Sequence, residues 1–328
     1  MKNILVTGGA GAIGRNLLKA LYAQHGSQMV IAGYNRTPLT GLPDGSLSAQ
    51  VDVYDKERLI SVVEEHDLDD GEIYHLAALL SIAAEKDPER ARRVNMGGLK
   101  NVLDVAREYD MRVFWPSSIA VFGSSAPKHN TPQNAPLDPE FEYGRNKVEG
   151  EKLLNQFFDE FEVDGRSVRY PGLLTPGKPG PGTTEYAIEM IYAAVRGEHY
   201  ASPLRHDTEL PMMDMRDATR AALEIMKAPK EDIKVRTSYN LSAMSFTPEE
   251  LAEEIRKHIP RFKTDYKIDD LKQRVADSWP NSIDDSSARD QWGWNHRYGL
   301  PEMTEHMIAE IQKELEILRN ANGGVKYG

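Results

Sequence analysis

Tyr143 and Lys147 form the residue pair in this sequence whose types and spacing best suit acid–base chemistry. The sequence from Glu142 to about Phe158 predicts a helix, and residues four apart lie on one face of a helix. A phenol can act as a general base only if its pKa, about 10 when free, is lowered. A neighbouring ammonium group does this. The alternative is an ordinary Tyr–Lys pair on a surface helix.

Ser118 is a third candidate, because it follows a predicted strand at 111–115. The segment from Pro116 to Gly123 ends this strand with small hydroxyl residues. In doubly wound folds, ligands bind beyond the carboxyl ends of the parallel strands. A serine at this position is therefore well placed to contact a reacting group.

A glycine-rich turn near the start of the chain predicts which cofactor the chemistry would use. Residues 3–7 form a predicted strand, Gly8, Gly11 and Gly14 follow it, and a helix continues from Asn16. A backbone without side chains can approach a diphosphate, and a helix amino terminus supplies free N–H groups. A glycine triplet alone marks only a tight turn, but its place between a strand and a helix favours a dinucleotide. A positively charged nicotinamide would further lower the pKa of the tyrosine.

The end of the second predicted strand, 28–33, bears on the choice between NAD and NADP. An acid at this point binds the adenosine ribose of NAD, whereas a nearby arginine suits the extra phosphate of NADP. This chain has Tyr34 there, with Arg36 two residues further on, and Arg36 is either a phosphate ligand or a solvated side chain. Asp52 and Val53 close the next strand, where the acid would contact adenine.

The order of the elements predicts an α/β protein with a Rossmann-type doubly wound parallel sheet and a smaller C-terminal α/β substrate lobe. Strands and helices alternate without interruption through the first part of the chain. We therefore assign 1–170 to a dinucleotide-binding domain, with a returning strand near 235–241, 171–320 mainly to the substrate lobe, and 321–328 to a flexible tail. The Pro- and Gly-rich segment 176–182 predicts a lid or specificity loop, or else an ordinary connector.

Composition excludes several other classes. The chain of 328 residues has no cysteine, so thiolate catalysis, disulfides and cysteine-held metals are excluded. A net charge of −11 argues against nucleic acid as a partner. The histidines lack the spacing of metal ligands, and we expect no metal. We find no membrane span or targeting segment, and we expect a cytoplasmic protein.

The glycine triplet, Ser118 and the Tyr143–Lys147 pair together resemble the extended short-chain dehydrogenase/reductase family, which includes nucleotide-sugar epimerases and dehydratases. Longer stretches resemble its branch of short-chain L-threonine 3-dehydrogenases, and the likeness extends to about Leu318. These stretches lie at 75–81, 94–98, 114–123, 169–172, 182–186, 210–213, 239–241, 244–248, 277–280 and 283–286.

This resemblance implies oxidation of the L-threonine side-chain alcohol to 2-amino-3-ketobutyrate. Tyr143 would take the hydroxyl proton, Lys147 would lower the tyrosine pKa and bind the nicotinamide ribose, and Ser118 would hold the substrate oxygen. Ser81 and Thr184 match positions that contact the amino acid, and Glu185 would pair with its ammonium. The expected cofactor contacts are Gly8, Gly11, Ala12, Ile13, Gly14, Tyr34, Arg36, Asp52, Val53, Leu76, Ala77, Ala78, Asn95, Tyr143, Lys147 and Tyr170.

The chain departs from the family pattern at three places. Tyr34 stands where the family has an acid for NAD, which leaves NADP open. Residues between Tyr143 and Lys147 differ, but the chemical pair is kept. Glu185 replaces an aspartate, which moves its carboxylate by one methylene. Arg216, where the branch commonly has proline, has no explanation from the sequence.

The family also pairs two helices across a two-fold axis, which predicts a homodimer through helices 87–108 and 143–160. Two alternatives to a threonine dehydrogenase remain. One is a nucleotide-sugar epimerase or dehydratase, for which Lys178, Arg196 and Arg205 would meet a diphosphate. The other is a non-catalytic protein that senses NAD(P), which would not need the Tyr–Lys pair.

Overall fold

The structure is a computed structural model that describes residues 3–177, 179–180 and 182–323, except for the side chains of 81, 82 and 320–323. Its first half alternates short apolar strands with amphipathic helices. The strands are β1 (Ile4–Thr7), β2 (Val30–Tyr34), β3 (Leu47–Gln50), β4 (Glu72–His75), β5 (Arg112–Ser118) and β6 (Gly165–Tyr170). The helices are α1 (Ala12–His25), α2 (Lys56–Glu65), α3 (Ser81–Lys86), α4 (Pro88–Arg92), α5 (Gly98–Glu108) and α6 (Glu142–Phe161).

The second half contains shorter strands and further helices. Its strands are β7 (Gly172–Leu174), β8 (Tyr200–Ser202), β9 (Leu210–Asp214), β10 (Tyr239–Asn240), β11 (Met244–Phe246) and β12 (Thr264–Tyr266). Its helices are α7 (Tyr186–Arg196), α8 (Met215–Lys227), α9 (Pro248–His258), α10 (Asp270–Ser278), α11 (Ser286–Trp292) and α12 (Leu300–Gly323). Short 3₁₀ turns lie at Ser27–Met29 and Ile119–Val121.

Within the described residues, a seven-stranded sheet has the order β3-β2-β1-β4-β5-β6-β10, and each neighbouring pair is parallel. Side chains alternate between its faces, so Ile4 and Val6 pack with α1 and α8 while Leu5 packs with α2 and α5. The predicted Rossmann-type doubly wound sheet is confirmed. Its strand order reverses between β1 and β4, where such folds bind ligands.

The smaller lobe is built on two further sheets. One has the order β11-β9-β7 and the other pairs β12 with β8. Their core is formed by α7, α9 and α12, with Tyr186, Ile191, Leu251 and Met307 buried. The helix α9 begins with the capping box that its sequence suggests, in which Thr247 and Glu250 exchange hydrogen bonds.

The predicted continuous helix 87–108 is wrong in one respect, because a π turn at Arg93–Gly97 separates α4 from α5. A π turn contains an extra residue and is frequent at functional sites. Here it directs Asn95 at the backbone of Leu79, in the segment that follows β4. The Asn95 Oδ1 atom accepts from the Leu79 N–H at 2.8 Å, and its Nδ2 donates to the Leu79 carbonyl at 3.1 Å. Helical spacing does not reveal such a turn.

Other boundaries also differ from the sequence-based expectation. The returning strand predicted at 235–241 is only Tyr239–Asn240, paired with β6. The last helix continues to Gly323, into the predicted tail of 321–328, and 324–328 of that tail lies outside the described residues. In the part of the chain that is described, none of the helices is long and apolar enough to cross a membrane.

The polar loop between β5 and α6 ties the two lobes together. The Gln133 amide donates to the Ser238 carbonyl and accepts from the Asn240 N–H, both at 2.8 Å. The Lys128 ammonium donates to the Trp279 carbonyl at 2.8 Å. The same loop contributes Thr131 to an isolated parallel bridge with Ile283. These contacts fix the second lobe against the edge of the main sheet.

Candidate active site

The glycine turn after β1 provides a cradle for a diphosphate. Gly8 has a φ of +71°, and a Cβ there would lie 2.7 Å from the Ala77 nitrogen. A Cβ at Gly14 would lie 2.5 Å from the Gly8 carbonyl oxygen. Gly11 is the N-cap of α1 and supplies no side-chain cap, so the N–H groups of the first turn stay free for a ligand. These residues fit the diphosphate of NAD or NADP.

A cavity of about 550 Å³ runs from this turn to the second lobe. Among the residues that the sequence singled out, the cavity is lined by Ala12, Ile13, Leu76, Ala78, Ser118, Tyr143, Lys147, Tyr170, Thr184 and Glu185. The remaining candidates are not lining residues of this cavity, and they are Gly8, Gly11, Gly14, Tyr34, Arg36, Asp52, Val53, Ala77 and Asn95. Ser81 begins α3, and its side chain lies outside the described residues.

Ser118, Tyr143 and Lys147 meet at the middle of this cavity. Ser118 and Tyr143 both line the cavity, and the Ser118 hydroxyl lies close enough to the phenol to act on its pKa. The Lys147 ammonium lies 5.6 Å from the centre of the Tyr143 ring and donates to the Pro116 carbonyl at 2.5 Å. Burial raises the pKa of Tyr143 to about 12, and the nearby Ser118 hydroxyl acts to lower it. The phenol of the cofactor-free chain is therefore protonated at neutral pH.

Lys147 is an unusual lysine because it is only 4% exposed. Burial lowers its pKa to about 7, and the carboxylate of Glu151 acts in the opposite direction. Its ammonium also lies over the Trp115 ring, 4.2 Å from the ring centre. The charge on this lysine is consequently poised to change near neutral pH.

The lowered pKa of Lys147 predicts that the stability of the folded chain depends on pH. Because the folded pKa of about 7 lies below the ordinary value of 10.5, the unfolded chain binds a proton that the folded chain has released between those values. The contribution of Lys147 to stability is thus full above about pH 10.5 and is lost as the pH falls towards 7. From pH 7 to 9, the free energy of unfolding of the cofactor-free wild type should rise relative to Lys147→Met by roughly 1 kcal/mol per pH unit.

Urea unfolding at several pH values measures this difference. Lys152→Met is the matched control, since Lys152 is exposed on the same helix. Parallel pH profiles for wild type and Lys147→Met would contradict the depressed lysine pKa.

A buried ion pair lies beneath the lysine. Glu151 and Arg169 are 1% and 3% exposed, and two hydrogen bonds of 2.7 and 2.9 Å join them. Glu151 also accepts from the Ser117 hydroxyl at 2.6 Å, and Arg169 donates to the Asn240 side chain at 3.0 Å. These bonds link α6, β5, β6 and β10 directly behind the reactive groups.

His75 is a structural residue in this arrangement. It is 1% exposed, and its Nδ1 atom lies 2.8 Å from the Thr7 hydroxyl oxygen. Burial, followed by the nearby charge of Lys147, lowers the pKa of His75 to about 3. The imidazole is therefore neutral at neutral pH and fixes β4 to β1.

The adenosine end of the site lies at the ends of β2 and β3. Tyr34 is half-buried and Arg36 is exposed. Arg36 has no ion-pair partner among the described residues. Asp52 is exposed, with its carboxylate accepting from the Tyr54 N–H at 3.0 Å. The Arg36 guanidinium, without an ion-pair partner among the described residues, is therefore available to a phosphate group of the cofactor.

The substrate end of the cavity holds a carboxylate and two threonines. Glu185 is half-buried and accepts from the Gly180 N–H at 3.0 Å, and its pKa is raised by burial. Thr183, which the sequence did not single out, is buried, and its hydroxyl has no hydrogen-bond partner among the described residues. An unpartnered hydroxyl in a cavity wall is available to a ligand. Thr183 lies within the 182–186 stretch, beside Thr184, and its burial in the cavity wall is not visible in the sequence.

The loop 176–182 is held at two described points. Besides the Glu185 contact, the Gly177 N–H donates to the Tyr192 hydroxyl at 2.9 Å. That hydroxyl in turn donates to Glu314 of α12 at 2.6 Å. Lys178 and Pro181 lie outside the described residues. A lid motion of this loop stays a prediction.

Three arginines of the second half have partners away from the cavity. Arg205 pairs with Asp277 at 2.9 Å, and Arg196 stacks on Tyr192. Arg216 pairs with the buried Asp214 at 2.6 Å and lies 3.7 Å from the centre of the Tyr298 ring. This explains Arg216, which links α8 to the segment before α12 and does not line the cavity.

The comparisons with known proteins agree with this site. Residues 4–242 match the NAD dependent epimerase/dehydratase family. An uncharacterized epimerase/dehydratase of Staphylococcus haemolyticus is 44% identical over 316 residues, which cover 96% of this chain and 99% of the relative.

Solved structures of other proteins are also similar to this chain along nearly its whole length. A GalE-like L-threonine dehydrogenase from Cupriavidus necator, in its holo form, has a TM-score of 0.91 and 43% identity, covering 94% of this chain and 99% of that one. A structure described as a monomeric L-threonine 3-dehydrogenase from a metagenome has a TM-score of 0.90 and 43% identity, covering 95% and 99%. A family match over more than half of the chain, with relatives similar along their whole length, establishes membership. This chain belongs to the NAD dependent epimerase/dehydratase family.

Proposed function

We propose that the protein oxidises the 3-hydroxyl of L-threonine to 2-amino-3-ketobutyrate. The observation that carries this proposal is the substrate end of the cavity. After Tyr170 in the chain, the described residues that line the cavity include one charged side chain, that of Glu185. They include no lysine and no arginine. A carboxylate without competing cations favours a substrate with an ammonium group over one with a diphosphate.

The reactive groups suit this oxidation. When bound, the nicotinamide supplies the hydride acceptor and a positive charge above the site. Ser118 would hold the substrate hydroxyl, and Tyr143 would accept its proton as the alcohol becomes a ketone. Lys147 would stabilise the phenolate, and the two lie close enough for this. Glu185 would bind the substrate ammonium, with Thr184 and Ser81 contacting the rest of the amino acid.

Reduced-nicotinamide absorbance with a panel of alcohols tests the proposal. L-threonine should support reduction of NAD or NADP, whereas 3-hydroxybutyrate, which lacks the amino group, should be a much poorer substrate. UDP-glucose and UDP-galactose test the alternative, a nucleotide-sugar epimerase or dehydratase. Absence of threonine-dependent reduction with either cofactor would refute the threonine proposal, and interconversion of the UDP-sugars would favour the alternative.

We also propose that Arg36 allows NADP to bind in addition to NAD. Its guanidinium is exposed and free of internal ion pairs at the strand end where the ribose would lie. Arg36→Ala should weaken NADP binding about 10-fold or more, because a charge-assisted hydrogen bond contributes about 1.5–3 kcal/mol. NAD binding should change little. Titration calorimetry with both cofactors measures this, and equal losses would contradict a phosphate contact.

A homodimer through helices 87–108 and 143–160 is a further proposal, and it rests on the family resemblance. Their apolar residues have internal partners in part, since Leu154 and Phe157 are buried and Phe158 lies under Arg236. One of the similar solved structures is described as a monomer, so the oligomeric state of this chain calls for a direct measurement. We expect sedimentation velocity to show a dimer at micromolar concentration. A monomer throughout a dilution series would contradict it.

A further inference from the structure

The helix that carries Tyr143 and Lys147 begins without a cap of its own. Phe141 stands at the N-cap position of α6 and offers no side-chain acceptor. The first N–H groups of a helix have no partner within it and need an acceptor wherever water is shielded. In α6 these groups include those of Glu142 and Tyr143, so the uncapped turn is the one that holds the reactive phenol.

Glu85, on the neighbouring helix α3, supplies the missing acceptor. Its Oε1 atom accepts from the Glu142 N–H at 2.6 Å and from the Tyr143 N–H at 3.3 Å. The side chain is half-buried between the two helices. A carboxylate at the positive end of a helix dipole is favourable, and hydrogen bonds to a charged acceptor are stronger than neutral ones.

The opposite side of this turn is also confined. Gly144 packs so closely on the Ala120 carbonyl that a Cβ there would clash with it. Ala120 in turn donates its N–H to the Ser118 hydroxyl oxygen at 3.2 Å. The first turn of α6 is therefore seated between the segment that carries Ser118 and the carboxylate of Glu85. Displacement of a reacting group by about 1 Å can cost about 10²-fold in rate.

We propose that Glu85 is a positioning residue that sets the place of Tyr143 relative to Ser118 through the backbone of α6. The catalytic consequence rests on the function proposed above. Ser81 begins the same short helix, and Glu85 lies four residues later, about one helical turn along the chain. One turn of α3 thus connects Ser81, a predicted substrate contact, to Glu85, which binds the first turn of α6 that carries Tyr143.

Two variants separate positioning from bulk stability. Glu85→Gln keeps an oxygen acceptor and loses only the charge, whereas Glu85→Ala removes the acceptor. We expect Glu85→Ala to lower kcat with L-threonine about 10- to 100-fold, with KM and the NAD dissociation constant within about 3-fold of wild type. Glu85→Gln should restore kcat to within about 3-fold of wild type. Glu57→Ala, which removes an exposed glutamate from the first turn of α2, is the matched control.

Hydrogen exchange, measured by mass spectrometry on the cofactor-free chain, tests the contact without any substrate. Peptides covering Glu142 and Tyr143 should exchange faster in Glu85→Ala than in wild type, with Glu85→Gln in between. Unchanged exchange, unchanged kcat, or a glutamine variant as slow as the alanine variant would overturn the proposal. If wild type does not oxidise threonine, the proposed function fails, and the exchange result alone decides the role of Glu85. Should Glu85→Ala not fold, Glu85→Asp, whose carboxylate is one carbon short, takes its place.

Discussion

Replacing Tyr143 with phenylalanine should lower kcat for threonine oxidation about 10³-fold, because a positioned general base contributes about 10²- to 10⁴-fold. The substitution removes one oxygen and leaves the ring in the cavity wall. Ser118 keeps the hydrogen bond that it accepts from the Ala120 N–H. Affinity for NAD should change only a few-fold, since the glycine turn is untouched. Steady-state kinetics and a fluorescence titration with NAD measure the two quantities.

Tyr54→Phe is the matched control, because Tyr54 is 51% exposed and lies outside the cavity. It should keep the wild-type rate. A wild-type rate for Tyr143→Phe would exclude this residue as the base. A loss of NAD affinity as large as the loss in kcat would mean that the phenol serves the cofactor and not the proton.

Arg169→Met should destabilise the folded chain by about 3–5 kcal/mol, the usual cost of leaving a buried charge without its partner. Glu151 is 1% exposed, and two of its hydrogen bonds come from this guanidinium. Removing Arg169 would leave Glu151 with Ser117 and the nearby charge of Lys147. The loss also breaks the bonds of Arg169 to the Gln133 carbonyl and the Asn240 side chain. Urea unfolding near pH 7 measures the change.

The double variant Glu151→Leu/Arg169→Met should recover part of this loss, because it leaves no unpaired charge in the interior. Arg145→Met, an exposed position on α6, should change the free energy of unfolding by less than about 0.5 kcal/mol. If Arg169→Met proves no more harmful than Arg145→Met, the buried pair does not stabilise the fold.

The features that the sequence predicted well are those with local causes. Gly8, Gly11 and Gly14 lie in one turn, whose backbone geometry requires glycine at Gly8 and Gly14. Tyr143 and Lys147 are four residues apart on one helix, so their proximity follows from helical geometry. The parallel sheet with helices on both faces follows from the alternation of strands and helices.

The features that the sequence did not reveal depend on distant partners or on small backbone changes. Glu85 reaches a helix that begins 57 residues later, and Glu151 and Arg169 share no local pattern. The π turn adds one residue to a helix whose apolar spacing looks regular on either side. Arg216 had no explanation until its contacts with Asp214 and Tyr298 were known. In each case tertiary packing, and not local preference, selects the arrangement.

The position of β10 limits how this chain can be divided. This strand, from the middle of the second half, completes the main sheet beside β6. A fragment ending at residue 170 would leave β6 as an open edge, with its backbone N–H and carbonyl groups unpaired and Arg169 without the Asn240 contact. Exposed edges of this kind recruit other strands and aggregate. A cofactor-binding fragment cut from this protein would therefore need its own replacement for the seventh strand.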